Sequence, residues 1–256
     1  MSLKLIDPQK GTILEEVDST NNWLKDPEKE VGSWVRSRYQ YNGRGRKGKV
    51  WIALGDEKII FSCKLRFGLT TIPLPLLSLM SGASLLKAIF SLFPEKESEI
   101  SLKWPNDIYR GSKKIAGFLI EGEVQDDLFE VIIGFGLNIY GQEIPSELIQ
   151  IADFLFDEDP IEGTSERIIL KFIEFLNESI ISLMDPSRIL KELQWLERNS
   201  LLLHKSIETN LENKMIRGRV LGYDENGFLL VLDQNGFKHS LMDTGSHFEI
   251  IGEINE

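Results

Sequence analysis

The amino-acid sequence predicts an α+β fold, in which a mixed or antiparallel sheet with helices is followed by a small all-β unit. Two patterns predict the first part: segments with alternating apolar residues, and longer segments with apolar residues at helical spacing. A third observation predicts the second part, since short alternating runs separated by turn residues begin near residue 201. We therefore predict a large domain at residues 1–200 and a small one at residues 201–256, with the boundary between Asn199 and Leu202.

Alternating residues predict the strands of the first domain, which are residues 31–40, 50–54, 58–67, 114–124 and 128–138. In the third of these, Phe61, Cys63, Leu65 and Phe67 share one face. The last two are predicted to form an antiparallel hairpin whose turn is Gln125, Asp126 and Asp127.

Helical spacing of apolar residues predicts helices over residues 76–93, 164–183 and 187–198. The last of these should begin after Asp185-Pro186, since proline is favoured at the first helical position. In the second domain, Asn226-Gly227 and Asn235-Gly236 are strong hairpin signals, and Glu212-Asn213 and Thr244-Gly245 are further turn signals. Short strands at this spacing predict a small barrel.

Composition excludes several classes of function. The 256 residues are 42% hydrophobic and 27% charged, with a net charge of −11, which argues against nucleic acid as a main partner. No apolar run approaches the roughly 20 residues of a membrane span, and no secretory signal is evident, so we expect a cytoplasmic protein. The single cysteine, Cys63, is expected to be a small buried hydrophobe, and the three histidines have no metal-ligand spacing.

A basic, glycine-rich loop stands out against this acidic background. Residues 43–48 match GxGxxG, and the loop carries four cations, Arg44, Arg46, Lys47 and Lys49. Three familiar interpretations of this motif are excluded. A dinucleotide fingerprint requires a helix after the loop, whereas residues 50–54 are strand-like. A protein-kinase loop would be followed by HRD and DFG motifs, which the sequence lacks, and a P-loop requires Ser or Thr where Val50 stands. The remaining interpretations are an anion-binding loop that is mobile until its ligand arrives, or a solvated basic hairpin tip.

Four further strings carry candidate site residues, each with a structural alternative. Residues 18–22 (DSTNN) precede a helical segment and could be an N-cap cluster. Residues 101–107 (SLKWPND) end in an amide and a carboxylate suited to a nucleotide or its Mg²⁺, or in an Asx-type turn. Residues 113–121 (KKIAGFLIE) place Lys114 and Glu121 on opposite faces of a regular strand, and residues 134–138 (GFGLN) allow close approach of a ligand or a neighbouring backbone.

Taken in this order, DSTN, the loop YQYNGRGRKG, KWPND, KKIAGFLIE and GFGLN resemble the catalytic domain of biotin protein ligases. The resemblance covers Val17 to Tyr140, and residues 201–256 are similar in kind to the small SH3-like domain of that family. It implies a class II synthetase-like catalytic domain. It also implies the short form of the family, since the residues before Asp18 are too few for the DNA-binding domain of longer relatives.

The resemblance implies synthesis of biotinyl-5′-adenylate from biotin and MgATP, followed by transfer of biotin to one lysine of a carboxylase carrier domain. It implies that Lys114 and Arg46 are catalytic. The implied biotin-binding residues are Ser19, Thr20, Asn21, Gln40, Arg44, Gly45, Arg46 and Lys114. The implied ATP-binding residues are Arg46, Trp104, Asn106, Asp107 and Asn138, with Asp107 also near Mg²⁺.

Two departures from the family pattern limit what can be carried over. Lys49 stands where the family often has a second arginine, so no bidentate contact is implied there. Residues 243–250 replace a glycine-rich string, so no contact from it to ATP is carried over. The alternative function is a lipoate or octanoate protein ligase of the same fold, and a non-catalytic binding module is a third reading. A homodimer through an exposed edge strand is left open.

Overall fold

The computed structural model describes residues 3–68, 72–125, 128–211, 214–243 and 248–253. They form a seven-stranded mixed sheet with helices, followed in the chain by a five-stranded antiparallel sheet. The predicted α+β class is therefore confirmed. The predicted turn residues Asp126 and Asp127 and the turns at Glu212-Asn213 and Thr244-Gly245 lie outside the described residues.

The first sheet has the strand order β1-β2-β3-β7-β6-β5-β4. Its strands are β1 (Gly11–Val17), β2 (Trp34–Gln40), β3 (Glu57–Phe67), β4 (Ile100–Lys103), β5 (Asp107–Arg110), β6 (Lys113–Gln125) and β7 (Leu128–Tyr140). Only β1 and β2 pair in parallel; the other neighbours within the described sheet are antiparallel. The predicted hairpin of residues 114–138 is the β6–β7 pair at the centre of the sheet.

Helices cover both faces of this sheet. They are α1 (Thr20–Lys25), α2 (Leu74–Leu92), α3 (Thr164–Ser182) and α4 (Pro186–Arg198). Helices α2 and α3 pack on the face where Phe61, Cys63, Leu65 and Phe67 are buried, as the alternation in β3 predicts. Helix α1 covers the opposite face, where Leu24 packs on Val35 and Ile132. Cys63 is fully buried, and burial raises the pKa of its thiol.

Helix α2 corrects the expectation that no apolar stretch approaches the length of a membrane span. Its 19 residues are long and apolar enough to cross a membrane, by length and composition alone. Of its most apolar window, however, 78% is buried inside the protein. The helix is hydrophobic on all sides because the sheet, α3 and the second sheet all contact it.

The second sheet has the order β11-β10-β9-β8-β12. Its strands are β8 (Lys205–Leu211), β9 (Lys214–Tyr223), β10 (Leu229–Asp233), β11 (Lys238–Leu241) and β12 (Phe248–Glu253). The two predicted hairpins are confirmed, because Asn226-Gly227 joins β9 to β10 and Asn235-Gly236 joins β10 to β11, with both glycines at positive φ. A side chain at Gly227 would meet the backbone of Leu76 at 2.6 Å, so this hairpin tip lies directly on α2.

Two strand predictions are wrong in extent. Residues 51–54 are irregular, and the segment is held by backbone donation from Trp51 to Gly43 and from Leu54 to the Asn138 side chain rather than by a ladder. Residues 31–33 precede β2 in a turn, since Gly32 has φ of 90°. In both places the alternation of apolar and polar residues is real, but the backbone groups pair outside a sheet.

Candidate active site

A cavity of about 350 Å³ lies on the α1 face of the first sheet and reaches the edge of the second sheet. This volume is in the usual range for small-molecule sites. It brings together predicted site residues that are far apart in the sequence, from Ser19 to Lys114. The predicted residues that line it are Ser19, Thr20, Asn21, Gln40, Arg44, Gly45, Arg46, Trp104, Asn106, Asp107 and Lys114.

Buried polar groups form one end of the cavity, at the start of α1. Thr20 is 4% exposed, and its backbone N–H donates to Gln40 Oε1 at 2.9 Å. The hydroxyl of Ser62, on the adjacent strand β3, lies 2.7 Å from Thr20 Oγ1. Ser19 is the N-cap of α1 by position, but its side chain makes no capping hydrogen bond. The string DSTNN therefore does more than start a helix, because Ser19, Thr20 and Asn21 all line the cavity.

Asn21 is held on all sides at this end of the cavity. Its amide nitrogen donates to Glu121 Oε2 at 2.9 Å and to the Leu119 carbonyl at 3.3 Å. Its carbonyl oxygen lies 2.6 Å from Ser62 Oγ. An alanine at Gly134 would place Cβ 2.0 Å from that oxygen, so the glycine leaves the room that Asn21 occupies.

Glu121 connects this polar end to the basic loop. Its carboxylate pairs with Lys25 and with Arg44, each at 2.8 Å. Burial opposes ionisation of Glu121, but the hydrogen bonds from Lys25 and Asn21 and the charge of Arg44 outweigh it, so its pKa is lowered. The carboxylate thus stays charged and anchors Arg44 beside the cavity.

The basic loop is held by carboxylates of the protein itself. Asp243, just after β11, pairs with Arg46 at 2.9 Å and with Lys47 at 2.8 Å. Arg46 also donates to Asn106 Oδ1 at 3.3 Å, and residues 46–48 form a short 3₁₀ turn. The expectation of mobility rested on repulsion between like charges; here Asp243 and Glu121 offset that repulsion.

The expectation that Lys114 and Glu121 face opposite sides of the sheet is wrong. The register between β5 and β6 shifts at Ile115, because Tyr109 pairs with Lys114 while Ile108 pairs with Ala116. This bulge reverses the alternation, so Lys114 joins Gly117 and Leu119 at the cavity. The Lys114 ammonium lies 2.6 Å from Asp107 Oδ1 and 5.1 Å above the Trp51 ring.

A second lysine shares this basic end of the cavity. Lys103 contacts the Tyr109 hydroxyl at 3.3 Å. Burial lowers the pKa of Lys103, against the attraction of Asp107, and the nearby Lys114 lowers it further. Burial and the charge of Asp107 raise the pKa of Tyr109 to about 12. Tyr109 therefore stays protonated at neutral pH.

Trp104 and Asn138 make contacts that tie the structure together. The indole N–H of Trp104 donates to the Gly227 carbonyl at 3.0 Å, which joins the KWPND segment to the second sheet. Asn138 accepts from the Leu54 N–H at 3.0 Å and donates to the Asp153 carbonyl at 3.2 Å. Its side chain does not line the cavity, so its contact with a nucleotide stays a prediction.

Several lining residues were not predicted, and Trp51 is the most prominent. Its ring lies against Gly136, where a Cβ would come within 2.1 Å of the indole nitrogen. Among the described residues that line the cavity, Trp51 Nε1 and Arg44 Nε are buried donors with no hydrogen-bond partner. A large aromatic residue directly after a basic, glycine-rich loop could have indicated this position from the sequence. Because buried donors are normally hydrogen-bonded, we expect a ligand to supply an acceptor to both of these N–H groups.

Ser62, Asp243 and Phe248 were also missed. Ser62 is a polar residue on the strand face away from the core, which is ordinarily a solvated position. Asp243 and Phe248 come from the second sheet, and no local pattern indicates that its edge closes the cavity. Only the packing of the two sheets brings them to the site.

The charges of the cavity favour an anionic ligand. Its described walls carry two carboxylates, Asp107 and Asp243, against six cations: Arg44, Arg46, Lys47, Lys49, Lys103 and Lys114. The excess of cations is concentrated here in a chain of net charge −11. Within the described residues, no group of three or more His, Cys, Asp or Glu is placed to hold a metal ion. The class defined by this fold and site is a two-sheet α+β protein whose cavity, between a sheet and a basic loop, is suited to a small anionic ligand.

Comparisons with known proteins narrow this class. Residues 13–138 match the Biotin/lipoate A/B protein ligase family. The bifunctional ligase/repressor BirA of Escherichia coli is 26% identical over 90% of this chain and 71% of its own length. The biotin--[acetyl-CoA-carboxylase] ligase of Mycobacterium tuberculosis is 32% identical over 57% of this chain and 53% of its own.

A solved structure agrees over nearly the whole chain. The biotin protein ligase of Aquifex aeolicus in complex with biotin and ATP superposes with a TM-score of 0.77 and 27% identity, covering 94% of this chain and 99% of that one. The chain thus carries a domain of the biotin/lipoate A/B protein ligase family and is homologous to the biotin protein ligases.

Proposed function

We propose that this protein activates biotin with ATP to biotinyl-5′-adenylate and transfers the biotin to one lysine of a biotin carrier domain. The observation that carries the proposal is the composition of one cavity. Buried hydrogen-bonding groups around Thr20 occupy one end, and Lys114 and Arg46 occupy the other. A cyclic urea attached to a carboxylate chain matches this division into a polar ring site and a cationic site.

The polar end suits the ureido ring of biotin. Thr20 and Ser19 are short and almost fully buried, so they offer fixed hydrogen-bonding groups rather than flexible ones. Gln40 contacts the backbone of Thr20 and is oriented by it. The unpaired donor of Arg44 lies in the loop that would cover the ring. We assign these residues to biotin binding, with Asn21 holding them in place.

The cationic end suits the reaction itself. Attack of the biotin carboxylate on the α-phosphate brings two anions together, so a nearby cation stabilises the developing charge. The bulge in β6 brings Lys114 to this end of the cavity, and contacts with Asn106 and Asp243 hold Arg46 there, which supports the assignment of both residues to this role. The attacking carboxylate oxygen forms the new P–O bond while the bond to pyrophosphate breaks. In the second step the carrier lysine attacks the acyl carbon, and AMP leaves.

Magnesium would enter with the nucleotide. Mg²⁺ is usually bound by one or two carboxylates together with substrate phosphates. Asp107 is the acidic residue of the KWPND string at the cavity, and its carboxylate also faces Lys114. This fits a metal held mainly by the triphosphate, to which it supplies charge neutralisation.

The basic loop would shield the adenylate. It already covers one side of the cavity, and its cations would gain a substrate phosphate in addition to Asp243 and Glu121. A mixed anhydride hydrolyses readily, so exclusion of water protects the intermediate. Trp104, Asn106 and Asn138 are assigned to the nucleotide side of the same site.

The remaining assignments are proposals of the same kind. We propose a catalytic domain at residues 1–200, an SH3-like domain at residues 201–256, and a cytoplasmic location. The acidic net charge favours a protein carrier over nucleic acid as the macromolecular partner. A homodimer through the exposed edge strand β1 stays an open proposal.

A carrier-modification assay tests the function. The purified protein is incubated with MgATP, a biotin carrier domain, and biotin and lipoate in competition, and the carrier is measured by intact mass. We expect one biotin added to one lysine. Lys114→Ala should reduce the rate of adenylate formation at least about a hundredfold, as loss of a charge-stabilising group does. The release of pyrophosphate measures this rate. Lys113→Ala, at the neighbouring position, is the matched control and should leave the rate within about twofold.

The same assay decides between biotin and lipoate. The matched family includes ligases for both acids, so lipoate is the competing substrate. Addition of lipoate and not biotin would overturn the assignment. Pyrophosphate release at the wild-type rate by Lys114→Ala would overturn the role of Lys114 alone.

A further inference from the structure

One carboxylate in the described walls of the cavity has no role in the proposed reaction. Asp107 pairs with Lys114 and is proposed to meet Mg²⁺. The other wall carboxylate, Asp243, follows β11 and lies in the stretch in which this chain departs from the family pattern. Asp243 therefore adds a negative charge to a cavity whose cations are suited to phosphates.

Asp243 contacts the cations of the basic loop in the way that a phosphate would. Its Oδ1 lies 2.9 Å from Arg46 Nη2, and its Oδ2 lies 2.8 Å from the Lys47 ammonium. Two oxygens of one phosphate group can bridge an arginine and a lysine in the same manner. The side chain of Asp243 is 34% exposed, so an incoming ligand can reach these ion pairs.

Both terminal nitrogens of Arg46 are engaged within the protein. Nη1 donates to Asn106 Oδ1 at 3.3 Å, and Nη2 donates to Asp243 Oδ1 at 2.9 Å. A guanidinium binds a phosphate bidentately either through its two terminal nitrogens or through Nε and Nη2, so both arrangements use Nη2. A phosphate that binds Arg46 in this way must share Nη2 with Asp243 or displace Asp243 from it.

The conformation of the loop is also linked to Asp243. Lys47 has φ of 56° and ψ of 35°, in the left-handed region that residues other than glycine seldom adopt. The turn is closed by the backbone N–H of Lys49, which donates to the Arg46 carbonyl at 3.1 Å. In this conformation Arg46 and Lys47 meet the same carboxylate, so the ion pairs that hold the loop use the cations that a nucleotide needs.

We propose that Asp243 competes with the phosphates of ATP for Arg46 and Lys47, and so sets the affinity of the site for ATP. An ion pair that must be shared or broken when the ligand binds lowers the affinity for that ligand. The same pairs order the unliganded loop, but partly exposed pairs contribute little to that order, so we expect competition to be the larger effect. This inference rests on the proposed function, because it takes ATP as the ligand.

The KM for ATP tests this role, measured with the full chain in the carrier-modification assay. Asp243→Asn removes the charge and keeps the shape of the side chain, so the KM for ATP should fall about tenfold while kcat stays within about threefold. The Kd of an ATP analogue with a methylene group between the α- and β-phosphates, measured by calorimetry, should fall by a similar factor. Asp233→Asn is the matched control, because it changes the net charge equally but removes a pair with His239 in the same sheet, away from the cavity.

A double-mutant cycle shows whether Asp243 acts through the loop cations. In a Lys47→Ala background, Asp243→Asn should lower the KM for ATP by less than about threefold, because one of the two cations that it releases is gone. Asp243→Ala removes the hydrogen-bonding atoms together with the charge, and it should lower the KM for ATP like Asp243→Asn. This variant serves if Asp243→Asn does not fold.

The outcomes separate this inference from the proposed function. If the wild type does not use ATP to modify the carrier, the proposed function fails and the inference fails with it. If the wild type is active, and the KM for ATP of folded Asp243→Asn is unchanged or higher, only the inference is wrong; a higher KM would mean that Asp243 orders the loop for ATP. An equal fall in KM with and without Lys47→Ala would also overturn the inference, since Asp243 would then act independently of that cation.

Discussion

Single side chains at the cavity have two roles, because the groups available to a ligand also fix the positions of neighbouring side chains. Glu121 shows this most clearly, since it anchors Arg44 of the loop and Asn21 of α1 with one carboxylate. Glu121 is partly buried and surrounded by donors, so its ionised form stabilises the folded protein more than its protonated form does. Its contribution to stability must therefore depend on pH.

The lowered pKa of Glu121 gives a prediction with a definite sign. A group whose pKa is lowered by folding stabilises the protein above its unfolded pKa, about 4.3, and loses that contribution as the pH falls through its folded pKa. Glu121→Gln should reduce the free energy of unfolding at pH 7, and the difference from wild type should shrink below about pH 4. Urea unfolding at several pH values measures this. Glu123→Gln, at an exposed position of the same strand, is the control; a deficit for Glu121→Gln that grows in acid would contradict the prediction.

Secondary-structure elements contribute irregularities that the site needs. The bulge in β6 moves Lys114 to the cavity face, and the glycines of β7 let Asn21 and Trp51 lie flat against the sheet. Neither feature stabilises the sheet by itself, since a bulge leaves a residue unpaired and glycine weakens a strand. They are local exceptions that make room for function.

The glycine at position 134 provides the test at this scale. Gly134→Ala would place Cβ 2.0 Å from Asn21 Oδ1, so Asn21 must move, and biotin affinity should fall at least about tenfold. Gly122→Ala, on the paired strand, is the matched control, because its Cβ would meet the ring of Phe129 at 2.7 Å, away from the cavity. Both should lower thermal stability, but only the first should lower affinity in calorimetry. Unchanged biotin binding by Gly134→Ala would show that Asn21 has no part in the site.

At the scale of the whole molecule, the second sheet completes the site formed by the first. Trp104 donates to Gly227, the hairpin tip at Gly227 lies on α2, and Asp243 pairs with two cations of the loop. The loop is thus connected to both sheets, through Glu121 on one side and Asp243 on the other. Separation of the sheets would release it.

Asp243→Asn tests this connection. The substitution keeps the shape of the side chain but removes its charge, so the ion pairs with Arg46 and Lys47 are lost. Partly exposed pairs are worth up to about 1 kcal/mol each, so trypsin should cleave within residues 44–49 about fivefold faster or more. Limited proteolysis with mass spectrometry measures the rate. The control is Asp233→Asn, which removes a pair with His239 in the same sheet, away from the loop; equal cleavage of both variants would refute the connection.

The sequence by itself determined the α+β class, most helices and strands, and both hairpins of the second sheet. It also indicated a set of site residues, all of which line the cavity except Asn138. It could do so because periodicity, turn residues and the five ordered strings are local properties of the chain. Only the tertiary structure decided the face on which Lys114 lies, the irregular path of residues 51–54, and the contributions of Ser62, Trp51, Glu121 and Asp243 to the site. These depend on a register shift and on contacts between residues as much as 197 positions apart, such as Arg46 and Asp243, which no local pattern contains.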